Sequence, residues 1–147
     1  MVHFEGDKSF PQPPARVCGK LTDARFLAEC VPGVEAITHA EPARVSCTLR
    51  PGFAFVRGTL ELSIEIVDAV PDTSARIVLN TKGIGTTSAV EASFTLGPEG
   101  AGTRMHWSAD IKTLGGLLKA VPQGLIKAAA DKVITDSLAA IEAKLKS

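Results

Sequence analysis

The chain has 147 residues, and its 16 basic residues are balanced by 16 acidic ones. That length suits one domain, residues 1–147, with a core large enough to need neither disulfides nor a structural metal. The even charge and the lack of any Lys or Arg run leave nothing to neutralise a track of phosphates, which excludes nucleic acid as an expected partner.

Nowhere do about 18 uncharged apolar residues follow one another, as a membrane span requires. Residues 1–7 show no basic region leading into an apolar stretch. The expectation is a cytoplasmic protein without direct membrane insertion. Cys18, Cys30 and Cys47 are widely spaced and form no Cys-x-x-Cys pair, so they read as reduced core residues.

Residues 2–10 read as a strand, which Pro11-Gln12-Pro13-Pro14 stops. Pro14 can open a short helix through Val17 to Leu21, because a helix's first residue has no use for an N–H. Thr22 is the expected cap of a second short helix through Phe26 and Leu27 to Cys30, ended by Pro32-Gly33. From Val34 the apolar period becomes two. Turn residues recur at Glu41-Pro42, Pro51-Gly52, Pro71-Asp72, Lys82-Gly83 and across residues 97–102.

Five or six antiparallel strands are expected in this stretch. The clearest covers residues 59–66, where Leu60, Leu62, Ile64 and Ile66 alternate with polar neighbours, the pattern of a strand with one wet face. Val90, Ala92, Phe94 and Leu96 repeat it, as do Met105, Trp107, Ala109 and Ile111. Beyond Asp110 the chain turns to Ala, Leu, Lys and Glu, which predicts one long helix from about residue 115 to 146. At about 100° per residue, Leu114, Leu117, Leu118, Val121 and Leu125 share one side of that helix. Ile134, Leu138, Ile141 and Leu145 fall opposite, with Pro122 and Gly124 marking a kink or break between the two sets. The second stripe either packs on the short N-terminal helices or serves a further protein, a partner enzyme or a homodimer. A hinge over a pocket is the further alternative.

The architecture implied is α+β: a curved antiparallel sheet of six to seven strands wrapped around a long C-terminal helix, a helix-grip fold, with two short helices after the first strand. Its order of elements and several motifs resemble the START-like (SRPBCC) superfamily, and within it the G-subunit family of carbon monoxide dehydrogenase. Phe4-Glu5-Gly6, Pro13-Pro14-Ala15-Arg16-Val17 and Cys30-Val31-Pro32-Gly33-Val34-Glu35 carry the likeness, extended by Gly58-Thr59, Gly102-Thr103-Arg104 and Gly115-Gly116-Leu117. The resemblance implies an internal hydrophobic cavity and a role in bringing a molybdenum-containing dehydrogenase to the membrane or serving its assembly, and it implies no catalytic residues. The chain departs from the family in carrying Cys18 where members often have an aromatic residue. It also ends at Ser147, where many members continue into an amphipathic tail.

Small inward residues, Ala75, Ala92 and Ala109, leave space between sheet and helix. The candidate ligand-binding residues are therefore Leu62, Val90, Ala92, Met105 and Trp107 on the strands and Leu117, Val121 and Leu125 on the helix, around a cavity for a hydrophobic small molecule or lipid. No cofactor is expected. His3, His39 and His106 have no metal-ligand spacing, and Gly83-Ile84-Gly85 reads as a hairpin turn rather than a phosphate loop. A cyclase- or hydrolase-like enzyme is the alternative. Against it, the chain lacks tyrosine, and strand parity turns Arg104, His106, Asp110, Glu61 and Glu65 outward, leaving an inner face expected to be wholly apolar. A single β-bulge would reverse that parity.

Overall fold

The period-two segments form strands and the two short amphipathic segments form helices, in the order the sequence sets out. The computed structural model describes residues 2–50 and 58–146. Strand β1 (Val2–Phe10) is followed by α1 (Pro14–Leu21) and α2 (Ala24–Cys30). Then come β2 (Val34–Glu41), β3 (Arg44–Leu49), β4 (Leu60–Val70), β5 (Ser74–Gly83), β6 (Thr86–Glu99) and β7 (Gly102–Gly116). A 3-10 turn (Leu117–Ala120) leads to α3 (Gln123–Leu145). The expected turn at Pro51-Gly52 lies outside the described residues.

The seven strands form one antiparallel sheet in the order β1-β7-β6-β5-β4-β3-β2. Each strand from β2 to β6 pairs with its successor, and β1 closes on the free edge of β7. Turn chemistry sets the register. Between β5 and β6, Ile84 (φ 56°) and Gly85 (φ 71°) both adopt the left-handed conformation, as a two-residue type I′ turn requires. The Thr86 hydroxyl donates to the Gly83 carbonyl at 2.7 Å, so the Gly-Ile-Gly run is a hairpin.

Helix α1 starts at Pro14 as expected. The cap of α2 is Asp23 rather than Thr22: the Asp23 carboxylate accepts from the backbone N–H of Arg25 at 3.1 Å. Thr22 instead terminates α1, its hydroxyl donating to the Cys18 carbonyl at 2.7 Å. Helix α1 lies against β6 and β7, and α2 lies against β2, β3 and β4, so the pair bridges the two halves of the sheet's inner face. The main core joins Val17, Leu21, Phe26, Val45, Ile64 and Leu145. Burying each such side chain contributes about 1.5–3 kcal/mol.

The C-terminal region departs most from expectation. Residues 114–116 continue β7 and pair with Thr86, Thr87 and Ser88, because extending an existing hydrogen-bonded ladder outweighs the weak helix propensity of a Leu-Gly-Gly segment. Gly116 ends the strand at φ 62°, and the helix begins only after Pro122. The break predicted at Pro122 is therefore real, but it separates a 3-10 turn from α3 rather than two helical halves. The stripe of Ile134, Leu138, Ile141 and Leu145 faces inward rather than standing clear of the fold. Ile141 and Leu145 belong to the core, with Leu138 packed against it, and Ile134 is half-buried on the wall of the cavity described below. Gln12 Nε2 and Arg16 Nη2 donate to the Leu145 carbonyl at 3.0 and 3.1 Å, satisfying a carbonyl that the helix end leaves unpaired. Lys8 pairs with Glu142 at 3.3 Å. These contacts fix the end of α3 to the β1 edge and to the segment before α1.

Candidate functional site

A cavity of about 680 Å³ lies between the inner face of the sheet and α3, within the ~300–1,000 Å³ range of small-molecule sites. Its floor follows the strand register. Ile77, Ala92 and Ala109 align across β5 to β7, as do Ile64, Leu79, Val90 and Ile111 across β4 to β7 one row away. Alanine at 92 and 109 keeps the floor low where a filled core would carry larger side chains. From α3, Ile126, Ala129, Ala130, Ile134, Leu138 and Ile141 form the facing wall.

Of the eight residues the sequence proposes, five meet here: Leu62, Val90, Ala92, Met105 and Trp107 all line the cavity. Leu117, Val121 and Leu125 do not line it. Leu117 and Leu125 are 65% and 51% exposed, and Val121 packs on a small cluster around Val2, Ile111 and Ile126. The reason is the late start of α3, which puts these residues outside the helical phase assigned to them. Leu114 reaches the cavity from β7. A bulge at Lys112 shifts the register between Ala89 and Val90 of β6 and their partners, placing Leu114 opposite Ser88.

The inner face is not wholly apolar. Thr81 and Ser88, aligned on β5 and β6, both line the cavity, and their side-chain hydroxyls bond each other. Ser88 shares the parity of Val90 and Ala92, and Thr81 that of Ile77 and Leu79. Extending each alternation by one step would have found both residues. Arg50, Lys132 and Asp136 also border the cavity, but each is tied into an exposed pair. Arg50 lies 3.8 Å from Glu35, and Lys132 3.1 Å from Asp136. The Cys30 thiol lines the cavity too, and burial pushes its pKa up to about 11, so it is protonated and unreactive near neutral pH. Burial likewise raises the thiol of Cys47.

The histidines His3 and His106 and the arginine Arg104 sit on the other face. His106 lies 3.1 Å from Asp7, and Arg104 lies 3.6 Å from Asp7 and 3.8 Å from Glu99. His3 bonds Asp110 at 2.5 Å and Glu5 at 3.2 Å, and these carboxylates, Asp110 foremost, raise its pKa above the ordinary 6.5. Among the described residues no His, Cys, Asp or Glu cluster could hold a metal ion, and no helix is long and apolar enough to cross a membrane.

A seven-stranded antiparallel sheet and a C-terminal helix enclosing an apolar cavity, with two short helices after the first strand, define a START-like fold. The chain belongs to the G-subunit family of carbon monoxide dehydrogenase (CoxG), whose sequence model matches residues 6–146. A conserved protein from Geobacillus kaustophilus is similar, at 21% identity over 99% of this chain and 95% of that one, with a TM-score of 0.87. A START superfamily protein from Mycobacterium smegmatis aligns at 10% identity over 98% and 97% of the two chains, TM-score 0.68. A STAR-related lipid transfer protein from Xanthomonas axonopodis aligns at 14% identity over 99% and 86%, TM-score 0.64. No curated protein matches the sequence significantly.

Proposed function

We propose that the protein binds a hydrophobic small molecule or lipid in the cavity between sheet and α3, without transforming it, as the accessory protein of a molybdenum-containing dehydrogenase such as carbon monoxide dehydrogenase. The observation that carries the binding role is the 680 Å³ space walled by Leu, Ile, Val, Phe, Met and Trp side chains. Each methylene moved from water into such walls contributes about 0.8 kcal/mol, so a chain of around ten offsets the lower part of the association cost. Membership of the CoxG family supports the accessory role.

Native mass spectrometry of the protein taken from its own host tests the proposal, with a co-purifying hydrophobic compound as the expected result. Affinity capture from the same extract should return the dehydrogenase. A protein that emerges empty and takes up no apolar probe overturns the binding role. Recovery of a chemically altered product would make it an enzyme.

A further inference from the structure

We infer that the Thr81–Ser88 hydroxyl pair is the head-group site of the cavity, and that it selects an uncharged amphiphile, a long apolar body carrying a hydroxyl or carbonyl, over a free anionic lipid. This rests on the cavity being a binding site and adds which end of the ligand goes where.

Two hydroxyls that bond each other use one of their two protons, which leaves one donor and several lone pairs. That complement matches a single carbonyl or hydroxyl. The pair sits one residue row inside the β5–β6 turn, flanked in register by Leu62 on β4 and Leu114 on β7. At the opposite end of the cavity Phe94, Met105 and Trp107 present apolar surface and an indole edge; Ser93 and Ser108 also border it there, but their strand parity is that of the outer face and their hydroxyls bond each other at 2.9 Å. The ligand therefore lies along the strands, its polar group toward the β5–β6 turn and its apolar body toward Trp107.

Charge argues for a neutral head. Among the described residues, the cations bordering the cavity are Arg50 and Lys132, whose side chains are 65% and 69% exposed and already paired with Glu35 and Asp136. A carboxylate bonded to Thr81 and Ser88 would have no buried positive partner among the described residues, and an unpaired buried charge costs far more than one hydroxyl contact returns.

The test is a set of twelve-carbon probes of common chain length, namely alkane, primary alcohol, methyl ketone and carboxylate, titrated at neutral pH against Trp107 fluorescence. The alcohol and ketone should bind about three- to tenfold tighter than the alkane, the gain from one satisfied hydrogen bond, and the carboxylate should bind weakest. In Thr81→Val/Ser88→Ala, where both partners are removed together and no orphan hydroxyl remains, alcohol and ketone should fall to the level of the alkane while the alkane is unchanged. Alkane and alcohol binding equally to the native protein, or the carboxylate binding tightest, overturns the head-group site but leaves the cavity a binding site. Failure of every probe to bind removes both readings. The comparison within the native protein stands even if the double variant does not fold.

Discussion

Gly6 lies directly beneath Trp107. The two residues are register partners on β1 and β7, and a Cβ built on Gly6 would stand 3.0 Å from Cζ2 of the indole. The glycine is there for space, since its backbone is ordinary. Gly6→Ala should push the ring toward the cavity that lies on its other side. Because the ring has somewhere to go, the destabilisation should be about 1 kcal/mol, the low end of overpacking, and emission from the single tryptophan should shift. Urea denaturation with fluorescence reads both effects. Unchanged stability and emission would mean that the indole does not rest on this strand.

That relationship also shows how far the sequence could be read. Gly6 was visible as part of a family motif, and Trp107 as an inward residue, but no local pattern says that one makes room for the other; the pairing exists only once β1 closes on β7 across more than half of the chain. The strands were legible because Leu60, Leu62, Ile64 and Ile66 carry their own alternation. The start of α3 was not, because residues 114–116 are held in β7 by partners on β6 rather than by local propensity. The same misreading placed Leu117, Val121 and Leu125 in the cavity. Thr81 and Ser88 were missed although their parity was available, because the alternation was followed only where it was apolar.

His3 offers a test of the outer face. Its bond to Asp110, helped by Glu5, raises its pKa above 6.5 in the folded protein. Since the folded value exceeds the unfolded one, the contribution to stability is fully present below about pH 6.5 and is lost as pH rises through the folded pKa. NMR titration of the imidazole should show the raised value, and Asp110→Asn should lower it. Identical titrations in the two proteins would show that Asp110 does not hold the ring.

The C-terminal stripe gives a stability prediction. Leu145 is 1% exposed in the core, and Leu145→Ala should cost about 2–5 kcal/mol. Leu138→Glu, which sets a carboxylate against the same cluster, should destabilise by at least about 2 kcal/mol. Chemical denaturation measures both. A fully stable Leu138→Glu protein that had lost self-association would return the stripe to a partner surface.

Ala92 provides the most direct measure of the void. It lies on the cavity floor between Ile77 and Ala109 in register, where a larger side chain would project into the space under α3. In a packed core, Ala92→Trp would cost about 1–3 kcal/mol through forced rotamers and backbone shifts. Over an open cavity the indole enters space that is already there, and its burial offsets part of the strain, so the loss should stay below about 1 kcal/mol. The same substitution removes room that a ligand needs, so apolar probes should no longer bind. Tolerance together with lost binding is the expected pair of results, read by urea denaturation and by probe titration on one protein. Severe destabilisation would mean that side chains fill the space between sheet and helix, and a tolerant variant that still binds would put the ligand away from β6.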